Sequence, residues 1–285
     1  MKSLSLLAVL ILLGTGTFAA DFLKPRWKVS VKDNVYTITF DKGKGGFMQG
    51  ELPMKAGEYA MLTFDAEMTG TKGFFNFSAS GFADKFYNQY YQHAFSGKGK
   101  FYFTFYAATD SNVKLQINLN SAGEDLKMVI SNLKVKKFTT FDKLDLSEYE
   151  ALHNNPKTPG MVTRVSAEDH LEGGFADKIV ATDKRAKGTT FKLPVMPGQK
   201  YKLTFWAKAS KTTRFNLWID GWTSGQKHWY APFKLSADTE FKQYEIEFTS
   251  CPEITRYRAM VVANFQLLPN NDLTVKGIKL ERISK

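Results

Sequence analysis

The stretch ELPMKAGEYAMLTFDAEM (51–68) returns, altered, as KLPVMPGQKYKLTFWAKA (192–209). Leu, Pro, Gly, Leu, Thr, Phe and Ala coincide at 52/193, 53/194, 57/198, 62/203, 63/204, 64/205 and 66/207. The likeness continues outward. FFNFSASGF (74–82) lies against RFNLWIDGW (214–222), sharing Phe, Asn and Gly at 75/215, 76/216 and 81/221. LKMVISNLKV (126–135) matches DLTVKGIKL (272–280) in apolar pattern, with Ile130, Leu133 and Val135 against Val275, Ile278 and Leu280. A period this long marks a structural unit built twice. GFADK also occurs twice, at 81–85 and 174–178, but those copies fall out of alignment and read as chance.

The repeat divides the chain. Residues 1–20 read as a signal peptide, 21–138 as unit one, 139–159 as a polar linker with one short helical turn near 147–152, and 160–285 as unit two. Alternating runs rich in Val, Ile, Phe and Tyr predict strands at 35–40, 59–66, 74–80, 101–106, 113–119 and 127–135 in unit one. In unit two they predict strands at 178–182, 201–208, 214–220, 243–249, 257–265 and 273–281. Gly, Asn, Asp and Pro separate these runs, and no long amphipathic helix interrupts them. That pattern predicts an all-β protein of two tandem β-sandwiches. Asn132 and Gly277 sit where alternation slips by one residue, as a β-bulge requires.

The segment L-P-V-x-P-G-x-x-Y-x-L-T-F-W-A-K-A (193–209) resembles the galactose-binding-like jelly rolls. More closely it is similar to carbohydrate-binding modules of families four and nine. The resemblance covers most of unit two and, more faintly, unit one. It implies a jelly-roll fold and a non-catalytic module of the kind usually attached to a polysaccharide enzyme. Its motif says more about fold than about ligand. In unit one Asp65 and Glu67 replace Trp206 and Lys208, which separates that unit from the pattern.

Strand phase can be read without the family. Tyr201, Leu203, Phe205 and Ala207 form one face of their strand, with Lys202, Thr204, Trp206 and Lys208 on the other. Phe215, Leu217 and Ile219 likewise oppose Arg214, Asn216, Trp218 and Asp220. Two tryptophans thus occupy polar faces. If their strands share a sheet, both rings stand on one surface. An indole stacks on the C–H face of a pyranose, while amides, carboxylates and guanidinium groups bind its hydroxyl rim. The expected carbohydrate-binding residues are therefore Trp206, Arg214, Asn216, Trp218, Asp220 and Trp222. Trp229 and Tyr230 join them from the loop-like stretch GQKHWYAPF, and Asn264 and Gln266 are candidate partners. The alternative is that these rings pack under loops or against the other unit. Unit one has Asp65, Ser78 and Ser80 at the positions of Trp206, Trp218 and Asp220. Its Tyr87, Tyr90 and Tyr91 form either a second site or core-edge packing.

MKSLSLLAVLILLGTGTFAA (1–20) carries a lysine, an apolar run and small residues, with cleavage expected after Ala19 or Ala20. It predicts a secreted, periplasmic or cell-surface protein, and no later stretch predicts a membrane span. Cys251 is the single cysteine, so an internal disulfide is excluded. The net charge of +11 suits an acidic glycan among other polyanions. Nucleic acid is not an expected partner. No nucleophile elbow, zinc spacing or phosphate-cradling glycine loop occurs. His93, His153, His170 and His228 form no recognisable set, and a polysaccharide lyase ranks last among the alternatives. No cofactor is expected. SAEDHLEGG (166–174) is acidic enough for a structural calcium or is an ordinary exposed loop. The leading expectation is a polysaccharide- or oligosaccharide-binding protein. The runner-up is an envelope adaptor that offers the same face to a protein partner.

Overall fold

The computed structural model describes residues 17–19, 22–70, 73–82, 89–121, 123–153, 162–164, 176–222, 228–252 and 259–283. Among these, every regular element is a strand. The first half holds β1 (Thr17–Ala19), β2 (Lys24–Pro25), β3 (Val29–Lys32), β4 (Val35–Asp41), β5 (Lys44–Gly45) and β6 (Phe47–Met54). It continues with β7 (Tyr59–Thr69), β8 (Gly73–Ser80), β9 (Gln89–Ala94), β10 (Gly97–Tyr106), β11 (Ser111–Ser121) and β12 (Leu126–Phe138). The second half holds β13 (Lys143–Asp145), β14 (Leu152–His153), β15 (Val162–Arg164), β16 (Ala176–Ala181), β17 (Ala186–Thr190) and β18 (Leu193–Pro194). It ends with β19 (Lys200–Lys208), β20 (Thr213–Trp222), β21 (His228–Ala237), β22 (Lys242–Thr249), β23 (Met260–Leu267) and β24 (Asn271–Arg282).

These form two antiparallel sandwiches. Unit one stacks sheet A (β10-β7-β12-β4-β3) on sheet B (β2-β6-β11-β8-β9). Unit two stacks sheet C (β15-β16-β24-β19-β22) on sheet D (β14-β17-β23-β20-β21). The chain crosses between the two layers at β6-β7-β8 and again at β10-β11-β12, as in a jelly roll. Alternation drives the stacking. Phe75, Phe77 and Ala79 of β8 point inward onto Phe64, Phe101 and Phe103, while Asn76, Ser78 and Ser80 point out. β6 carries Gly50 and Pro53 and has no clean alternation signal. It tolerates Pro53 because short β2 pairs only with Gln49 and Met48, so β2 does not reach Pro53, whose carbonyl accepts from Lys137 Nζ at 2.8 Å.

The repeat is structural. Register shifts fall at Ser131/Lys134 against β7 and at Thr204/Trp206 against β24, so both expected bulges are present. Asn132 (φ 52°) and Gly277 (φ 66°) occupy the same left-handed position in the two units. Each faces a matched neighbour. Asn132 Nδ2 donates to Asp65 Oδ2 at 2.6 Å in unit one. In unit two a Cβ on Gly277 would meet Trp206 Cδ1 at 3.2 Å. Asp65–Asn132 and Trp206–Gly277 are thus two solutions to one bulge. The GFADK copies lie in unrelated places, with Gly81 after β8 and Ala176–Lys178 opening β16.

The segment expected to be a polar linker is packed where it is described, because its Leu144, Leu146, Ala151 and Leu152 are apolar and buried. The helical turn expected near 147–152 is absent: a hydrogen-bonded turn at Leu146–Tyr149 leads directly into β14. β13 pairs with β24 and β14 with β17, so both described strands of the segment join sheets of unit two. The buried Asp177 carboxylate accepts from the Ala151 and Leu152 backbone N–H groups at 2.8 and 2.9 Å. Glu150 N donates to Lys100 O on the edge of β10, which gives that edge a partner.

The two sandwiches share one hydrophobic core. Sandwich one is open on the side between edge strands β9 and β10, and Phe191 of unit two closes it. Its fully buried ring lies 5.3 Å from His93, 5.4 Å from Tyr102 and 5.5 Å from Phe103. Tyr59 OH also crosses the junction, donating to Val195 O at 2.7 Å.

His153 lies in this seam with its Nε2 2.6 Å from the Gln92 carbonyl, which assigns the proton to Nε2. Burial lowers its pKa to about 4, with nearby Lys192 reinforcing the shift and the Gln92 bond opposing it. The His93 ring sits 5.8 Å away. The unfolded chain accepts a proton near pH 6.5 that the folded chain resists. Stability is therefore full above that pH and falls by up to ~3 kcal/mol as pH drops toward 4. Thermal melts across that window are expected to show a steep pH slope that His153→Gln flattens. An unchanged slope would place the proton uptake elsewhere.

Candidate ligand-binding face

The outer face of sheet D is built from alternate residues of four strands. β20 presents Arg214, Asn216, Trp218 and Asp220, because Phe215, Leu217 and Ile219 are drawn into the core. β23 lies on one side, with Trp218 opposite Asn264, Asn216 opposite Gln266 and Asp220 opposite Val262. β21 lies on the other, with Trp218 opposite Pro232 and Asn216 opposite Lys234. β17 adds Thr189 beside Asn264 and Lys187 beside Gln266.

Trp218 sits half-buried at the centre of this face. Next to it runs a hydrogen-bonded set: Thr189 Oγ1 donates to Asn264 Oδ1 at 2.7 Å, and Asn264 Nδ2 donates to Asp220 Oδ2. Asn264 is only 1% exposed although it belongs to the outer face, so its amide is oriented by partners on both sides. Two residues along β20, a groove of about 460 Å³ opens, lined by Arg185, Arg214, Asn216, Lys234, Ser236 and Gln266 among others. Its lining holds three cations and no carboxylate. The face is therefore polarised, with Asp220 at one end, the indole in the middle and a basic groove at the other.

The structure brings Arg214, Asn216, Trp218 and Asp220 together, as the alternation of β20 predicts. It separates Trp206 from them. β19 and β20 are consecutive in sequence, but the chain changes layer at 209–212, and β19 belongs to sheet C. The polar faces of the two layers point away from their common core, so the two indoles stand on opposite outsides of the sandwich. Trp206 instead covers the Gly277 bulge.

The stretch expected to be a loop around Trp229 and Tyr230 is strand from His228 onward. β21 is an edge strand, which accommodates Pro232. Backbone register sets Tyr230 opposite Asp220 and Trp229 opposite Gly221, and Trp222 ends β20. The side chains of Trp222, Trp229 and Tyr230 lie outside the described residues.

In unit one Tyr87 also lies outside them, and Tyr90 is placed only by its backbone, opposite Ser78. Tyr91 does not offer a surface site. It is opposite inward-pointing Phe77 and 6% exposed, with its ring 5.2 Å from Phe103 and Lys192 Nζ 5.0 Å from its centroid. The acidic stretch 166–174 is likewise outside the described residues, and no cluster of metal-ligating side chains occurs among those described.

Arg185 and Lys234 escape the sequence reading. Lys234 carries a usable signal, because Ala231, Phe233 and Leu235 alternate with Pro232, Lys234 and Ser236. Arg185 lies in the connection between β16 and β17, and only the fold brings it to the groove.

Comparison with protein families gave no match, and comparison with curated proteins gave none. Among solved structures, the chain is similar to the N-terminal CBM22-1–CBM22-2 tandem domain of Xyn10C from Paenibacillus barcinonensis. Identity is 11%, coverage is 94% of each chain and the TM-score is 0.37. It is also similar to a family 16 carbohydrate-binding module, with 19% identity, 42% of this chain, 84% of that one and a TM-score of 0.33. A third similar structure is TmCBM61 in complex with β-1,4-galactotriose, with 12% identity, 44% and 84% coverage and a TM-score of 0.33. No helix of the described residues is long and apolar enough to cross a membrane.

Proposed function

We propose that this is an exported, non-catalytic carbohydrate-binding protein that holds an acidic glycan on the outer face of sheet D. The observation that carries the reading is the pairing of Trp218 with an acid-free groove containing Arg185, Arg214 and Lys234. The indole offers a surface for the C–H face of a pyranose, and Asn216 and Asp220 bond its hydroxyl groups. The guanidinium groups take the carboxylate or sulfate substituent of a neighbouring sugar in bidentate geometry. The signal-type segment at 1–20 directs the chain to where such polymers occur.

Affinity electrophoresis in gels containing polygalacturonate tests this. The protein is expected to be retarded, and Arg214→Glu with Lys234→Glu is expected to weaken binding by about tenfold or more at low salt. Lys127→Glu with Lys136→Glu changes net charge equally on exposed positions of β12 in unit one. Equal loss in the two double variants would reduce the effect to overall charge and sink the groove assignment.

A further inference from the structure

An edge of sheet B and an edge of sheet D meet. β9 is the edge of sheet B and β14 the edge of sheet D, and His153 Nε2 on β14 donates to Gln92 O on β9 at 2.6 Å. His153 belongs to the Trp218 row of sheet D. Register runs from Trp218 to Asn264, from Asn264 to Thr189 and from Thr189 to His153. Across the seam the row continues on sheet B: Gln92 lies opposite Asn76, and Asn76 opposite Asn118.

Sheet B is unusual in what it presents outward. Asn76, Gln92, Gln116, Asn118 and Asn120 occupy neighbouring outward positions on β8, β9 and β11, with Gln49 beside Gln116 on β6. Gln116 Nε2 donates to Asn118 Oδ1 at 2.8 Å. Asn76 Oδ1 and Asn120 Nδ2 are buried beneath their neighbours and have no hydrogen-bond partner among the described residues. A solvated strand face ordinarily carries charges. One dominated by carboxamides offers donor and acceptor on each side chain, which is the complement of a chain of hydroxyl groups.

We propose that the two faces act as one extended binding surface. A linear oligosaccharide seated on Trp218 runs along the row past His153 and over the amide face of unit one. This rests on the reading of sheet D as a glycan face and adds the length and path of the ligand. With strands ~4.8 Å apart, three spacings separate Trp218 from His153 and two separate Gln92 from Asn118, a contour of ~25 Å plus the seam. Such a path holds several sugars, and each unit contributes part of it. Unit one thus has a role although it lacks a ring at the Trp218 position: it supplies hydroxyl partners along the chain, and unit two supplies the stacking platform.

Calorimetry with galacturonate trimer and octamer, on the wild type and on Asn76→Ala with Asn118→Ala, decides the matter. The octamer is expected to bind at least about tenfold more tightly than the trimer. The double variant is expected to lose most of that difference while its trimer affinity stays the same. Because registers along the octamer add a statistical gain in every variant, the comparison between variants is the measurement that counts. Equal length dependence in wild type and double variant would overturn the extended surface and leave the sheet D face intact. Failure of both oligomers to bind the wild type would overturn the proposed function itself, and this inference with it. Should the variant fold poorly, hydrogen exchange on the wild type reads the same contact. Octamer but not trimer is expected to protect backbone amides in 74–79 and 115–119, and absence of that protection would overturn the proposal.

Discussion

Phe191→Ala is expected to destabilise the whole chain by ~3–5 kcal/mol, the range for deleting a fully buried phenylalanine ring. The size follows from position. Phe191 belongs to unit two, yet His93, Tyr102, Phe103 and, at 6.3 Å, Tyr91 belong to unit one. Removing the ring opens a cavity on the one side of sandwich one that its own strands leave uncovered, and no nearby element can collapse into it without moving the other unit. Domain interfaces within a chain are commonly polar and loose; this one is a continuation of both cores. The wild type is accordingly expected to unfold in a single transition in guanidinium, monitored by tryptophan fluorescence, which senses mostly unit two, and by circular dichroism. Two separate transitions in the wild type, with Phe191→Ala shifting neither midpoint, would refute the shared core.

Trp218→Ala is expected to lower affinity for polygalacturonate about 30-fold, with little change in melting temperature. Stacking one indole face removes on the order of 80 Å² of apolar surface from water, worth ~2 kcal/mol. Trp206→Ala is the paired control. Its ring stands on sheet C, over the Gly277 bulge and away from the groove, so binding should be unchanged. Equal losses in both variants would mean that the sheet D face is not where the glycan sits. The sister unit explains why Trp218 can be removed cheaply: Ser78 occupies the same place in β8 without loss of the strand.

Much of this architecture is legible in the chain before it folds. The 51–68/192–209 repeat reveals two copies of one unit, and period-two alternation locates twelve strands and their inward faces. That works because burial of Phe, Leu and Val on one side of a strand is a local demand, written at fixed spacing. The bulges at Asn132 and Gly277 are visible for the same reason, as a slip in phase. Within β20 the grouping of Arg214, Asn216, Trp218 and Asp220 needs only that alternation.

Which strands share a layer is a different kind of fact. Jelly-roll crossovers send neighbours in sequence to opposite sheets, and nothing local in 209–212 announces it, so the pairing of Trp206 with Trp218 fails. Leu144, Leu146 and Leu152 lie among polar residues in a segment without periodicity, and only its contacts with β17 and β24, far off in sequence, bring them into the core. Arg185 reaches the groove, and His153 reaches Gln92, through contacts more than twenty residues apart in sequence. The chain by itself determined the two sandwiches and the polarity of each strand, because those depend on near neighbours. The tertiary structure decided which edges meet, and with that the single core and the seam at His153 and Gln92, because those depend on how layers and edges close.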